Sequence, residues 1–217
     1  MVARRRLALA SLLGGLALAV LPPAAWAADY ALDSERSVLL LRVWKEGAAS
    51  VFAHDHVARA SKLSGTVRYD PARPDAASVE VEVSAAGLVM DEPTMRRRVG
   101  LPSISDANRR VVQKTMLGPE QMDVAAYPTL SFRSQRIDGV GEGQLRVTGA
   151  LTLHGQTHEL TFPATVELVG TNVLHAHATL RFKQSAFGIT PYSFGGAVRN
   201  RDEVELQIEL VAQRPPA

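Results

Sequence analysis

The sequence contains no cysteine, almost no net charge and a single long apolar run. Without cysteine the protein cannot be a disulfide scaffold, hold a cysteine-ligated zinc or iron–sulfur cluster, or use a thiol nucleophile. A formal charge of +2 over 217 residues gives no broad electrostatic attraction for nucleic acid. The chain also lacks G-x-S-x-G, H-E-x-x-H and P-loop motifs, so no standard hydrolase or phosphate site is marked.

The single long apolar run, Leu7–Leu21, follows three arginines and precedes the small-residue pattern Ala25–Ala27. A basic start, an apolar stretch and an A-x-A site are typical of a secretory signal peptide, so we predict one over residues 1–27, cleaved after Ala27. An uncleaved membrane anchor is the alternative, but this run is shorter than the roughly 20 residues of a spanning helix, and Pro22 ends it. The sequence therefore predicts a periplasmic domain over residues 28–213 with no integral membrane segment, followed by a frayed tail over 214–217.

Hydrophobic residues alternate with polar ones along most of the remaining chain, which indicates β-strands. Ser78–Ser84 is the clearest case, because Val79, Val81 and Val83 share one face. Eight such segments with short connections predict an all-β domain, either a sandwich or a closed antiparallel barrel. The predicted strands are 38–43, 62–69, 78–84, 129–137, 144–153, 157–168, 173–183 and 203–212.

The segment 91–122 interrupts this alternation. Its first part contains two prolines and the run Arg96–Arg98, and we predict a long loop with solvated arginines. Ser105 can cap a helix that Gly118 ends, and Pro119–Met122 is predicted to add a second helical turn. A loop and short helix inserted in an all-β domain often form a lid or a barrel cap.

Six segments of the chain carry motifs that occur together in one known family: Tyr30–Ser34, Leu63–Val67, Ala126–Ser134, Val147–Thr157, Lys183–Ile189 and Glu203–Ile208. In this order they resemble the motifs of the YceI-like family of exported, lipocalin-like barrels. The segment Ala126–Ser134 resembles its "K-Y-P-x-I-x-F-x-S" motif, and Val147–Thr157 resembles "V-x-G-x-L-T-L-x-G-V-T". Two segments depart from the family pattern. Phe52–His56 carries two histidines where the family has one, and Asn108–Leu117 lacks the histidine and the Phe-Phe pair that the family has at this place.

The resemblance implies an eight-stranded antiparallel lipocalin-like barrel that holds a long apolar molecule in its lumen. The family is associated with polyisoprenoids, isoprenoid quinones and fatty amides, and it is not regarded as enzymatic, so no catalytic residue is expected. An isoprenoid chain needs a dry tunnel, with one or two polar groups to fix its head group. The candidate ligand contacts are Phe52, His54, His56, Met116, Leu117, Phe132, Phe187, Tyr192 and Phe194.

All six histidines fall in close pairs. Because residues i and i+2 of a strand point the same way, an H-x-H pair can offer two imidazoles to one zinc or copper ion. His54 and His56, with Asp55 between them, are the candidate metal ligands; alternatively, they bind a head group at the barrel rim. The other two pairs are predicted to be structural or solvent-facing.

Three functions therefore remain open. The first is an exported, non-enzymatic carrier of an apolar ligand, which the resemblance favours. The second is a metal-binding protein or metalloenzyme that uses His54 and His56. The third is a stress-linked structural barrel without a ligand. The sequence leaves the choice between a monomer and a homodimer open.

Overall fold

The computed structural model describes residues 28–215, and of Phe52 only the backbone. The predicted signal peptide and the last two residues of the tail lie outside the described part. The strands are β1 (Ala28–Leu32), β2 (Val38–Glu46), β3 (His56–Ala60), β4 (Leu63–Tyr69), β5 (Ser78–Ser84), β6 (Leu88–Met90), β7 (Thr129–Gly141), β8 (Gln144–Leu153), β9 (Gln156–Val169), β10 (Val173–Lys183), β11 (Ser193–Phe194) and β12 (Val198–Gln213). Two α-helices are described, α1 (Pro93–Arg98) and α2 (Asp106–Leu117). No helix in the described residues is long and apolar enough to cross a membrane.

Eight strands form a closed antiparallel barrel. Their order is β1-β4-β5-β7-β8-β9-β10-β12, and the ring closes where Ala31 and Leu32 pair with Gln213 and Ala212. The structure thereby decides between the two predicted architectures in favour of the barrel. The alternation in β5 explains its orientation in the barrel. Its valines lie on the face that points away from solvent, while Glu80 and Glu82 lie on the exposed face.

The sheet branches at β12, which is long enough to pair with both β1 and β2. Its last residues pair with β1, and the stretch before them pairs with β2. The strands β2, β3 and β6 continue from there as a three-stranded arm. The predicted ring strand 38–43 therefore belongs to this arm, and β1 completes the ring. The strand β3 was not among the predicted strands.

The insertion is more ordered than predicted. Its first part contains α1, where a loop was expected, so that expectation was wrong; Pro93 opens the helix at a position that needs no backbone donor. The helix α2 is confirmed, with the Ser105 side chain accepting a hydrogen bond from the Asn108 amide and Gly118 at the end. The predicted helical turn after it is replaced by hydrogen-bonded turns, in which the Met122 amide bonds to the Met116 carbonyl at 3.0 Å.

A glutamine joins α2 to the free edge of the arm. The Gln113 side chain accepts a hydrogen bond from the Met90 amide at 2.7 Å and donates one to the Leu88 carbonyl at 2.7 Å. It thus satisfies the strand's backbone groups as a neighbouring strand would. The helix therefore covers the edge of β6 and closes the side of the barrel that the arm leaves open.

Two apolar clusters divide the interior. The first, which we call the ring half, contains Ala28, Tyr30, Val67, Tyr69, Ile137, Leu145, Val147, Phe162, Leu174, Leu180 and Ala212. The second, the cap half, contains Ala60, Leu63, Val83, Leu88, Met122, Leu153, Phe187 and Ile189. Residues of α2 and the turns after it pack only against the second cluster, so the insertion forms part of one end of the core.

The two halves differ where β9 meets β10. In the ring half the strands pair directly over Ala164–Val169 and Val173–Ala178. In the cap half they separate, and the 3-10 turn Gln184–Phe187 lies between them. Phe187 is 1% exposed and meets the ring of Phe182 edge-on at 5.4 Å between centroids. Gly188 allows this turn because its φ of +74° is left-handed.

Candidate ligand-binding site

The inward faces of the strands surround a cavity of about 350 Å³. All the strands except β1 and β11 contribute residues to the wall, mainly through alternate positions, as in β10, where Ala176, Ala178 and Leu180 face the lumen. The wall is overwhelmingly aliphatic and aromatic, and it draws on both core clusters. This volume lies in the usual range for small-molecule sites, and the chemistry of the wall suits an apolar molecule.

The helix α2 supplies part of the wall at the cap half. Val112, Thr115 and Met116 line the cavity, together with Met122 from the turns that follow. Val111, on the same helix, lines the cavity and is 65% exposed, so it marks a place where the lumen approaches solvent. The insertion thus acts as a cap on the barrel, as its position in the sequence predicted.

Five polar side chains of the wall lie toward the end of the cavity where β10 finishes and β12 begins: His56, Gln121, Gln184, Tyr192 and Asn200. The wall also includes Ser78, Thr115, Ser131, Thr165 and His177. The two glutamines have backbone partners: Gln184 Nε2 donates to the Arg201 carbonyl at 2.7 Å, and Gln121 Nε2 donates to the carbonyls of Glu120 and Thr190 at 2.7 and 3.1 Å. This end of the cavity therefore offers a small polar region beside a long apolar one.

His56 is held by a buried carboxylate. Its Nδ1 lies 2.6 Å from Oδ2 of Asp91, whose side chain is 0% exposed. The other carboxylate oxygen accepts a hydrogen bond from the Val57 amide at 3.1 Å. Asp91 has a φ of +53°, in the left-handed region that aspartate tolerates better than most residues. The turn after β6 thus aims the carboxylate back at the start of β3.

A buried arginine completes this group. Arg96, on α1, is 2% exposed and donates to Asp91 Oδ1 at 2.5 Å. Its remaining hydrogen bonds go to the carbonyls of Pro102 and Asp55, at 2.6 and 2.9 Å. The prediction that Arg96 is solvated was therefore wrong: the helix turns this side chain under the barrel rim, where it neutralises a buried charge.

The pKa of Asp91 reflects these contacts. Burial acts to raise it, but the hydrogen bonds from His56, Val57 and Arg96, with the charge of His56, outweigh burial and hold the pKa below its ordinary value. Asp91 is therefore a carboxylate at neutral pH. We call His56, Asp91 and Arg96 the rim triad.

The structure places four of the predicted ligand contacts in the cavity wall. They are His56, Met116, Phe132 and Tyr192. Phe132 also meets Phe162 at 5.6 Å between ring centroids, so it belongs to the apolar middle of the lumen. His56 and Tyr192 lie at the polar end. Their contact with a ligand stays a prediction.

The other predicted contacts lie away from the wall. Leu117 and Phe187 pack in the cap-half cluster, behind the residues that line the cavity. Phe194 is 72% exposed because it follows the rim in the β11 hairpin, and His54 is exposed in the segment before β3. The side chain of Phe52 is outside the described part of the chain. These predicted contacts therefore belong to the structure of the barrel end, whereas a ligand in the lumen would touch the residues that line the cavity.

A barrel closed by eight antiparallel strands, with an apolar lumen, agrees with the family comparison. The YceI-like domain matches residues 30–212. The chain belongs to the YceI-like family. A UPF0312 protein of Vibrio cholerae serotype O1 is 32% identical over 164 residues, covering 72% of this chain and 71% of that protein. A UPF0312 protein of Pseudomonas putida (strain W619) is 26% identical over 196 residues, covering 88% and 90%.

Solved structures show the same fold. BcnA of Burkholderia cenocepacia superposes with a TM-score of 0.65 at 23% identity, covering 83% of this chain and 99% of BcnA. A polyisoprenoid-binding domain from Saccharophagus degradans, implicated in plant cell wall breakdown, gives a TM-score of 0.59 at 14% identity, covering 87% and 99%. At these identities the likeness establishes the barrel architecture of this YceI-like chain.

The three histidine pairs of this YceI-like chain lie in different places. His154 and His158 pack around the Phe187 turn: His154 Nδ1 lies 3.2 Å from the Phe187 carbonyl, and the His158 ring meets the Phe187 ring at 4.9 Å. His175 and His177 project with Thr179 from the polar face of β10, as predicted. Within residues 28–215, no three histidine or acidic side chains are grouped as metal ligands would be. Zinc or copper at His54 and His56 stays a prediction.

Sequence reasoning missed the two residues that hold His56. Asp91 and Arg96 sit in a stretch without alternation, and an arginine run is usually solvated. The only available signal was an aspartate directly after the apolar strand Leu88–Met90, at the point where a buried strand turns. Gln113 was missed for a similar reason, since nothing in its sequence context marks it as the partner of a strand edge.

Proposed function

We propose that this YceI-like protein is an exported carrier that holds an apolar chain in its barrel lumen and performs no chemical step on it. The observation that carries the proposal is the cavity of about 350 Å³, whose wall is mostly apolar and includes His56, Gln121 and Gln184 at the capped end. Such a wall stabilises a bound hydrocarbon by about 0.8 kcal/mol for each buried methylene. Affinity then grows with chain length, and the polar end selects the head group.

The proposed ligand class is a polyisoprenoid, an isoprenoid quinone or a fatty amide. The polyisoprenoid-binding domain from Saccharophagus degradans shares the fold over 87% of this chain, which supports an isoprenoid chain. A mostly apolar lumen also suits a ligand that must be shielded from water during transfer. A role without chemistry agrees with a cavity whose wall offers few polar groups.

Export is part of the proposal and rests on the first 27 residues. Their three arginines, apolar run and A-x-A pattern are those of a cleaved secretory signal. Expression of the full chain in a diderm bacterium should yield a periplasmic protein that begins at Ala28, as measured by intact mass. A cytoplasmic protein that keeps residues 1–27 would contradict this part of the proposal. The state of assembly, monomer or homodimer, is measured on the same sample by light scattering.

The carrier function is tested by mass spectrometry of an organic extract of protein purified from periplasm without detergent. We expect one prenyl, quinone or fatty-amide molecule for each chain. Ala178→Phe places a bulky ring in the middle of the lumen, because Ala178 faces the cavity, and should abolish the bound lipid.

Thr179→Phe is the matched control, because the next residue along β10 is exposed on the outer face. This variant should keep the lipid of the wild type. An empty extract from a folded wild-type protein, or equal lipid in both variants, would overturn the carrier function. Metal analysis of the same sample tests the alternative use of His54 and His56.

A further inference from the structure

The helix α2 presents positive charge and an exposed apolar side chain on the same side. Ala107, Arg110, Val111 and Lys114 are three or four residues apart, so they share one face of the helix, and all four are exposed. The opposite side of α2 lines the cavity and covers the edge of β6. We call these four residues the α2 outer face.

The two cations of this face are not neutralised. Within the described residues neither Arg110 nor Lys114 forms an ion pair or a side-chain hydrogen bond, whereas both arginines of β7 are paired with carboxylates. Asp106, the one acid of α2, is bonded to Arg109 at 3.0 Å, and the next acid along the chain is Glu120, beyond the end of the helix. The face is therefore locally positive, although acidic residues slightly outnumber basic ones from residue 28 onward.

Val111 joins this positive face to the lumen. It is mostly exposed and also contributes to the cavity wall. The Gln121 side chain donates to the Thr190 carbonyl at 3.1 Å, which holds the segment after α2 against the segment that leads to β11. Two exposed aromatic side chains follow there, Tyr192, which also lines the cavity, and Phe194. The capped end of the lumen is thus bordered by exposed apolar side chains and, along α2, by positive charge.

An anionic lipid surface fits this combination better than a second copy of the chain does. Basic side chains attract acidic head groups, and apolar side chains beside them enter the boundary between head groups and acyl chains. A two-fold axis on the α2 outer face would bring Arg110 and Lys114 of one copy close to the same residues of the other. Such contacts between like charges oppose association.

We propose that the α2 outer face docks on a bilayer that contains acidic lipids, with Val111 among the head groups and the capped end of the lumen turned toward the membrane. In this orientation an apolar chain passes between bilayer and lumen without crossing water, where its exposed surface is most unfavourable. The docking is a property of the protein surface. It goes beyond the carrier function and does not depend on it.

Vesicle sedimentation with the purified full-length product tests the docking. The wild type should bind vesicles of phosphatidylcholine and phosphatidylglycerol in equal amounts, and should not bind phosphatidylcholine alone. Added salt should weaken the binding, because it screens exposed charges. Arg110→Glu should lower the partition coefficient about five-fold or more, since each basic side chain near an anionic surface contributes about that factor.

Arg146→Glu is the matched control. Arg146 is exposed on β8 in the ring half and has no ion pair within the described residues, so its replacement changes the net charge equally without touching α2. This variant should bind acidic vesicles within two-fold of the wild type if each charge acts only near the surface, as screening over about 8 Å implies. Equal losses in both variants would overturn the proposal, and so would a folded wild type that does not bind acidic vesicles, which is the result expected if α2 instead meets an acidic protein.

A fluorescent label identifies the face that meets the lipid and does not require the charge variants to fold. Because the chain has no cysteine, Val111→Cys and Val140→Cys each offer one attachment site, the second at an exposed position of β7. A nitrobenzoxadiazole dye should brighten and shift to the blue on acidic vesicles at residue 111 and stay unchanged at residue 140. No change at residue 111, or the same change at both, would contradict the docking, while the lipid extract of the wild type tests the carrier function separately.

Discussion

The ring half and the cap half of this barrel are built by different means. In the ring half, β9 and β10 pair directly and β1 closes the circle onto β12. In the cap half, β9 and β10 separate, a phenylalanine turn fills the gap, and the arm and α2 complete the wall. Regular strand pairing therefore forms the wall of the ring half, while side-chain contacts between irregular segments form the capped end.

Breaking the rim triad should give the largest effect and should reveal how far the cap half supports the whole fold. Asp91→Ala leaves Arg96 buried without its counter-ion, and the loss of one partner of a buried ion pair costs about 3–5 kcal/mol. Urea unfolding followed by circular dichroism measures the free energy of unfolding. Asp29→Ala removes an exposed carboxylate in the ring half, paired with Arg68, and should leave that free energy nearly unchanged. Equal effects of the two variants would show that burial of the triad is not what stabilises it.

Loosening α2 should have a smaller and more local effect. Gln113→Ala leaves the Met90 amide and the Leu88 carbonyl without their side-chain partner, which costs about 1–3 kcal/mol where these groups stay shielded from water. Hydrogen exchange should become faster in β6 and α2, while β8 keeps its protection. Lys114→Ala, an exposed neighbour in the same helix, is the control and should change neither region. Uniformly faster exchange would mean that the two halves open as one unit.

Lowering the pH should have the smallest effect and should distinguish the two halves by their sensitivity to acid. Because the folded-state pKa of Asp91 is depressed below 3.8, its contribution to stability is complete above that value and is lost as the pH falls through the folded pKa. The Val57 amide, which donates to Asp91, should then lose hydrogen-exchange protection before the amide of Leu174 in the ring half. Protection factors at pH 6, 4 and 3 test this order. Simultaneous loss at both sites would assign the acid sensitivity to the fold as a whole.

The sequence predicts individual strands and the helix α2 well because the signals that form them are local. The alternation of Ser78–Ser84 requires one buried face, and its predicted bounds match β5. The cap of α2 at Ser105 is likewise a local signal. The cavity follows from strand alternation once the barrel is closed, which explains why Phe132, a predicted ligand contact, lines the lumen.

The polar end was harder to predict because its contacts join distant and aperiodic segments. His56 is 35 positions from Asp91, and no spacing rule links a residue at the start of a short strand to one after another strand. Phe187 and Phe194 look equivalent in the sequence as aromatic rim residues, yet one is 1% and the other 72% exposed. Only the path of the chain through the β9–β10 gap separates them.

The closure of the ring has a kinetic consequence. The barrel is sealed by pairs between Ala31 or Leu32 and residues 212–213, and the side chains of Gln213 and Asp33 bond across 180 positions of sequence. Contacts between residues so far apart in sequence form late in folding, because closing the long intervening loop costs conformational entropy. The hairpins β7–β8 and β8–β9 can assemble early, but until residue 213 takes its place the lumen is an open sheet with two exposed edges. A hydrocarbon present at that moment could be enclosed by the last step of folding, without any opening of the finished wall.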